Sequence, residues 1–145
     1  MTTPRTRFGY HFAKLHRLMI SLYRQDILEL GIKPSQIPFV AELLHHNEPL
    51  TQDELSTILV IDKAATARAL EHLEKKGIVQ RKINPQNRRQ KLVTVTPKAR
   101  ALEKPLFDIL QTISDIFTNN FSPEEKNQAI GYLNRMINNA LEIKS

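Results

Sequence analysis

The residues best equipped to bind a ligand are the cations between positions 75 and 104. This window holds ten Lys or Arg and one acid, Glu103, although the 145-residue chain carries a formal net charge of only +6. Guanidinium and ammonium groups bind phosphate oxygens, and arginine also pairs with guanine edges or enters a narrow minor groove. The basic run therefore favours a nucleic-acid surface, with an ordinary solvated basic face as the alternative.

Two β-prone segments surround the densest part of this run. Residues 78–83 and 91–96 are rich in β-branched side chains, and the intervening Asn84-Pro85-Gln86-Asn87 favours a turn, with Arg88 and Arg89 following at its tip. The residues expected to face inward are Val79, Ile83, Val93 and Val95. Those expected to stay partly exposed are Arg81, Lys82 and Lys91. The segments predict a hairpin with a cationic tip; the alternative is an ordinary hairpin whose arginines lie in water.

Two helices with clear end signals are predicted before the hairpin. Thr51 can cap the first, with Glu54 placed for a capping box, and Asp62 can cap the second, over residues 63–76, which Gly77 ends. The residues placed on the inner faces are Leu55, Ile58, Leu59, Thr66, Leu70 and Leu73. Helix, turn, helix and cationic hairpin is the order of a winged helix-turn-helix, whose second helix enters a major groove.

Apolar residues at three- and four-residue spacing predict long helices on both sides of this core. We expect helices over residues 6–30 and 35–46, a third opening at Pro97, and a last one opening at Ser122-Pro123-Glu124-Glu125. Pro105 predicts a kink or a late start in the third. The terminal apolar stripes favour a subunit interface, the alternative being a monomer whose terminal helices fold back on its core.

Composition argues against several other classes of protein. The chain has no cysteine, which excludes disulfides and Cys-ligated zinc, and no apolar run long enough to span a membrane or form a signal-peptide core. It has no Gly-rich phosphate loop and no nucleophile system, so we expect no cofactor and no catalytic residue. We expect its five histidines to lie on helix surfaces rather than in a metal site. These observations predict a cytoplasmic protein that is not an enzyme.

Four short segments carry a resemblance to a known family. They are LGI at 30–32, LEKKGIVQR at 73–81, NPQNRR at 84–89 and VT at 95–96. Together they resemble the multiple-antibiotic-resistance regulator (MarR) family of dimeric winged-helix transcription regulators. The family usually has aspartate where Asn84 and Asn87 stand, leucine at Val95 and glycine at Ala99. Its aspartate nearest the arginines orients one of them by a salt bridge, for which Asn87 can offer only a hydrogen bond.

The resemblance implies both an architecture and a function. The fold implied is mainly α-helical with a small β-hairpin wing, as one domain over 1–145, with a winged helix-turn-helix core at 33–96 flanked by dimerisation helices at 6–30 and 97–143. The function implied is a sequence-specific regulator, a ligand-responsive repressor that binds a pseudo-palindromic operator in double-stranded DNA as a homodimer. The alternative is a winged-helix protein-interaction module without DNA binding, which would have little reason to retain the basic segment and Arg68.

Site residues follow from the resemblance by position. The implied DNA-binding residues are Lys63, Ala64, Ala65, Ala67, Arg68, Asn87, Arg88, Arg89 and Lys91. We expect Arg68 on bases or phosphate and the two wing arginines in a minor groove. The alanines either contact thymine methyls or only reflect good helix formation.

In relatives, aromatic acids and similar lipophilic compounds bind between the winged core and the dimerisation helices. The resemblance therefore implies a small aromatic or anionic effector. Its candidate residues here are Phe8, Phe12, Arg17 and Phe39, which core and surface roles explain equally well.

Overall fold

The computed structural model describes residues 4–46 and 48–145, which form a mainly helical fold with one small antiparallel sheet. The elements are α1 (Phe8–Glu29), α2 (Ile37–His45), β1 (Leu50–Thr51), α3 (Gln52–Leu59), α4 (Lys63–Lys75), β2 (Val79–Asn84), β3 (Asn87–Val95), α5 (Pro97–Phe117) and α6 (Pro123–Lys144), with short 3-10 helices at Pro4–Thr6 and Pro34–Gln36. Contacts divide the chain into two compact units, residues 1–111 and 112–145. The predicted fold class is confirmed, while the predicted division into core and dimerisation helices stays a prediction.

The sheet contains one strand more than the sequence predicts. Its order is β1-β3-β2, so β3 pairs on one side with β2 and on the other with the two-residue β1. Leu50 and Arg81 both face Val93 across the sheet, whereas Ile83 pairs only with Lys91, beyond the end of β1. The hairpin therefore leaves the three-stranded base as a two-stranded ribbon.

The two helices of the helix-turn-helix begin and end as their capping residues predict. The Thr51 hydroxyl accepts from the Glu54 backbone N–H at 3.0 Å, while the Glu54 carboxylate accepts from the Thr51 N–H at 3.1 Å. The Asp62 carboxylate accepts from the Ala65 N–H at 2.7 Å. Gly77 has a φ of +75°, and the following N–H of Ile78 donates to the Leu73 carbonyl at 3.0 Å, closing α4 one residue before its predicted end.

Of the ten residues predicted to face inward in the helix-turn-helix and hairpin, six are buried, Leu59 and Val95 are half-buried, and two are exposed. Leu55, Thr66, Leu70, Leu73, Val79 and Val93 are all buried. Ile58 is exposed because it lies on the outer side of α3, and Ile83 is 57% exposed because no third strand or helix covers the ribbon at its level. The inward orientation predicted for these two isoleucines is wrong.

The flanking helices differ from the predictions mainly at their starts. α1 begins at Phe8 and α2 at Ile37, each preceded by a short 3-10 helix, while Gly31 with φ +86° follows the end of α1. α5 begins at Pro97 and continues through Pro105, so the late start is wrong. No helix in the described parts of the chain is both long and apolar enough to cross a membrane.

We expect Gly77→Ala to lower the free energy of unfolding by about 1–2 kcal/mol, because a φ of +75° is the left-handed backbone conformation, in which the Cβ of alanine is strained. A Cβ at this position would meet only Lys98 Cδ, at 3.9 Å, so the loss reports backbone conformation rather than a clash. Urea denaturation at fixed protein concentration measures it. Gly9→Ala is the control: its Cβ meets nothing within 4 Å in α1, and stability should be unchanged or slightly higher. Equal losses in both variants would contradict the assignment.

Candidate nucleic-acid interface

One side of α4 is open to solvent. Lys63, Ala64 and Arg68 are exposed, Ala65 and Ala67 are half-buried, and the opposite side of the helix is in the core. Lys63 Nζ lies 3.7 Å from Asp53 Oδ1 at the start of α3, a solvent-exposed pair. Arg68 has no ion-pair partner in the described part of the chain. The structure thus brings the predicted α4 residues together on one accessible surface.

The wing presents the second group of predicted residues. Asn87, Arg88, Arg89 and Lys91 are all exposed. They belong to β3 itself, and the turn consists of Pro85 and Gln86, so the arginines lie in the strand rather than after the tip. The strand pairing passes from Ile83–Lys91 directly to Asn84–Asn87, which leaves residues 88–90 as an extra segment on β3.

Neutral amides hold the extra segment. Asn84 Nδ2 donates to Gln90 Oε1 at 3.2 Å, and Asn84 Oδ1 accepts from the Gln86 N–H at 3.1 Å. Asn87 Oδ1 accepts from the backbone N–H of Arg89 at 3.2 Å. The Asn87 amide thereby shapes the backbone and leaves the guanidinium of Arg89 unpaired.

Six of the ten cations in the basic segment have a partner within the chain. Four of its ten cations pair with carboxylates at 2.6 to 3.5 Å: Lys75 with Glu71, Arg81 with Glu74, Arg100 with Glu103 and Lys104 with Asp108. Two more, Lys76 and Lys98, donate to backbone carbonyls. Among residues 4–46 and 48–145, no carboxylate lies within ion-pair distance of the remaining four, Lys82, Arg88, Arg89 and Lys91. The cations of the basic segment that have no partner in this part of the chain therefore all lie on the wing.

Arg81 differs from the other wing cations because it faces inward. Its side chain is only 13% exposed, since strand alternation places it on the same face of β2 as the buried Val79. Its Nε and Nη2 donate to Glu74 Oε1 at 3.3 and 3.0 Å, and its Nη1 donates to Gln52 Oε1 at 3.0 Å. The hydrogen bond from Arg81 holds the pKa of the Glu74 carboxyl below its usual value, and the charge of Lys91 adds to that effect.

The four residues proposed from sequence for an effector are not gathered into one cavity. Phe8 and Phe12 are exposed and contact each other, with ring centroids 6.1 Å apart, and Arg17 is exposed on the same helix. Phe39 is buried and borders a cavity of about 420 Å³ that Arg68 also lines and that none of the other three residues borders. A metal-binding group of three His, Asp or Glu residues is also absent from the parts of the chain that the structure describes.

A larger cavity, of about 730 Å³, lies between α1, the start of α2 and Leu110 of α5. Its lining is mostly apolar, with three basic side chains. The residues are His16, Met19, Ile20, Tyr23, Arg24, Leu28, Lys33, Pro34, Ser35, Ile37, Pro38 and Leu110. Burial raises the pKa of the Tyr23 phenol. The α1 residues of this lining follow one another at three- and four-residue spacing, a signal that the sequence does contain.

Comparison with known proteins identifies several relatives. A sequence model of the MarR family matches residues 40–91. YdgJ, an uncharacterized HTH-type transcriptional regulator of Bacillus subtilis (strain 168), is 33% identical over 116 residues, covering 79% of this chain and 70% of YdgJ. A MarR transcriptional regulator from Methanosarcina mazei Go1 superimposes with a TM-score of 0.88 at 29% identity, over 94% of this chain and 97% of that one. The S. aureus MepR–DNA complex gives 0.83 at 22% identity, over 92% and 98%, and shows the fold alone.

Acid should remove the stabilisation that the Glu74–Arg81 pair provides. Because the pKa of Glu74 is lowered from 4.5, the contribution is complete above the unfolded-state pKa and is lost as the pH falls through the folded-state pKa. We expect Glu74→Gln to be less stable than wild type at pH 7, with a difference that shrinks as the pH is lowered below about 4.5. Urea midpoints from pH 7 to pH 3 measure this.

The matched control is Glu71→Gln, which removes the partner of Lys75 in an exposed pair one turn earlier on α4. Its effect at pH 7 should be small, since exposed pairs contribute little. A Glu74→Gln difference that is constant across the pH range would contradict the predicted role of ionisation.

Proposed function

The chain belongs to the MarR family of transcriptional regulators, and from that premise we propose that it binds double-stranded DNA sequence-specifically as a homodimer. The supporting observation is that the unpaired cations of the basic segment all lie on the wing, while α4 offers an open face of small side chains and Arg68. In this proposal α4 enters a major groove and the wing enters the adjacent minor groove. A fold neighbour, S. aureus MepR, was solved as a DNA complex.

Each proposed contact has a physical reason. The Arg68 guanidinium can donate two hydrogen bonds to one guanine, and the alanines beside it allow close approach of the helix. Lys63 extends from the first turn of α4, where a phosphate would replace Asp53 as its partner. Arg88 and Arg89 need no internal salt bridge to be broken before they enter the groove, so their main cost is the conformational entropy lost when the two side chains become ordered.

Exposed apolar stripes support the homodimer. Those on α1 include Phe8, Phe12, Leu15, Leu18 and Leu22, and those on α6 include Ile130, Leu133, Ile137 and Leu141. Contiguous apolar surface of this kind is unusual on a monomer and is typical of a subunit interface. A two-fold dimer would present two α4 helices to half-sites about one helical turn apart, which predicts a pseudo-palindromic operator.

The large cavity supports a response to a small molecule. Its apolar walls suit an aromatic or aliphatic body, and Arg24, Lys33 and His16 suit a carboxylate. We propose that an amphipathic organic anion binds there and lowers operator affinity, as a ligand-responsive repressor requires. Phe8, Phe12, Arg17 and Phe39 are replaced in this proposal by the residues that border the cavity.

We expect Arg68→Ala and Arg89→Ala to weaken operator binding in different ways. Losing Arg68 should cost roughly 1–3 kcal/mol and relax the preference at particular half-site base pairs. Losing Arg89 should leave the half-site consensus intact and reduce the preference for A·T-rich flanks. Selection from a randomised duplex library measures both, with Lys144→Ala, in the last turn of α6 and outside the proposed contacts, as the control.

The same binding experiments separate the proposed function from its alternative. A DNA-binding dimer should carry two chains per duplex, and its affinity should fall steeply with salt. A winged-helix protein-interaction module would show no specific consensus and weak, unsaturable binding. Identical consensus sequences for wild type and Arg68→Ala would move Arg68 from bases to phosphates.

The cavity is tested by two arginines on the same helix. Arg24 borders it and Arg17 does not. We expect naphthoate to release operator DNA from wild type and Arg17→Gln but much less readily from Arg24→Gln, because of these two arginines only Arg24 borders the cavity and can meet the carboxylate. Titration calorimetry with naphthoate and the uncharged naphthalene methanol gives the direct measurement. Loss of the response in Arg17→Gln alone would favour the site proposed from sequence.

A further inference from the structure

The guanidinium of Arg81 joins three elements at the base of the wing. It extends from β2, binds the Glu74 carboxylate near the end of α4 at 3.0 Å, and donates to Gln52 in the first turn of α3 at 3.0 Å. The Arg81 backbone N–H also donates to Glu74 Oε2 at 3.1 Å, so both carboxylate oxygens are engaged. We propose that Arg81 is a positioning residue that couples the wing to α4, so that minor-groove and major-groove contacts depend on each other.

The strand pairing shows why an anchor at this point matters. Arg81 lies opposite Val93, in the row that also contains Leu50, and β1 ends one row later with Thr51 opposite Leu92. Beyond that row only β2 and β3 pair with each other. An isolated two-stranded ribbon is marginally stable, so its direction depends on how its base is held.

The hydrogen bonds of Arg81 are directional, which an apolar contact is not. A guanidinium is planar and presents its donors in a rigid fork, so binding Glu74 on one side and Gln52 on the other sets the orientation of β2 relative to both helices. The pair is largely covered at the arginine and more open at the carboxylate, with side-chain exposures of 13% and 39%. The geometry therefore fixes a relation between the free cations of the wing and the open face of α4.

This inference rests on the proposed function, because it concerns how DNA contacts are arranged. If the anchor is lost, the wing samples more directions, and ordering it on DNA costs entropy. The minor-groove contact of Arg89 should then contribute less, although Arg89 itself is unchanged. Preference for A·T-rich flanks should fall while the half-site consensus, read by α4, is kept.

The test compares matched pairs of substitutions. Arg81→Met with Glu74→Gln removes the anchor without leaving an unpaired charge. Arg100→Met with Glu103→Gln is the control, because it removes an ion pair of similar length, 3.1 Å, from the same basic segment but within α5 rather than between β2 and α4. Affinities are measured on two duplexes that share half-sites and differ only in A·T or G·C flanks.

We expect the control to keep the wild-type flank preference, measured as the ratio of affinities for the two duplexes. In the double variant Arg81→Met with Glu74→Gln, the anchor variant, this ratio should fall by roughly three-fold or more, the size of coupling seen between interacting residues. Adding Arg89→Ala should then cost less in the anchor variant than in wild type. Gln52→Met, which removes only the α3 contact, should reduce flank preference in part, and it serves if the double variant does not fold. Arg81→Lys keeps the charge but not the fork, and it should also reduce flank preference.

The outcomes separate the two levels of the proposal. If wild type shows no flank preference, minor-groove reading by the wing is wrong and the coupling falls with it. If wild type shows the preference and the anchor variant or Gln52→Met keeps it in full, with Arg89→Ala additive, the proposed function stands and the coupling through Arg81 is overturned. A loss of thermal stability with unchanged flank preference has the same meaning, because it assigns Arg81 to stability alone.

Discussion

The side chains buried beneath α4 decide which of its residues face solvent. Thr66, Leu70 and Leu73 are fully covered, and the Thr66 hydroxyl donates to the Asp62 carbonyl at 2.9 Å while accepting from Ser56 at the same distance. Since a helix turns once every 3.6 residues, fixing these positions in the core leaves Ala64 and Arg68 on the opposite side. The candidate groove-reading surface is thus a consequence of how α4 packs on α3.

The packing of the core also decides whether some of the cations have an internal partner. Cations close to the core find internal partners: Arg81 binds Glu74, and Lys76 donates to the Gly31 carbonyl at 3.1 Å. Among the residues that the structure describes, no carboxylate lies within ion-pair distance of Arg88, Arg89 or Lys91 on the ribbon beyond β1. Whether Arg81 and Lys76 are paired or available therefore depends on tertiary packing, which a count along the sequence cannot show.

Much of the fold could be predicted because the signals are local. A capping box such as Thr51 with Glu54 involves residues three positions apart, and a glycine stop such as Gly77 acts on the helix it ends. The missing strand β1 is two residues long and pairs with β3 some forty positions away, so no local pattern could reveal it. Ile83 is exposed because β1 ends before its level in the sheet, so its exposure could not be predicted from local sequence either.

The candidate site was predictable to the same extent. Its α4 and wing residues follow from the order of elements, whereas the hydrogen bond from Arg81 to Gln52 joins residues 29 positions apart and has no local signal. The cavity shows a similar division. Met19 and Tyr23 belong to a readable helical stripe, but their neighbours Pro34 and Leu110 meet them only through tertiary packing. Phe8 and Phe12 share the stripe and lie outside the cavity lining, so periodicity alone could not choose among the aromatic residues.

The neutral wing tip follows a consistent electrostatic logic. Where related sequences usually carry aspartate, Asn84 and Asn87 supply amides that bond to Gln90 and to the Arg89 backbone, and they shape the tip without adding negative charge. A carboxylate would orient one arginine but would also repel phosphates at short range. With amides, both guanidinium groups stay unpaired, so binding a polyanion breaks no internal salt bridge but must order two flexible side chains. The wing therefore has more unpaired positive charge but less preordered arginines than a tip with an internal salt bridge. Because the tip itself orients its arginines less, the base of the ribbon matters more for their position in this chain.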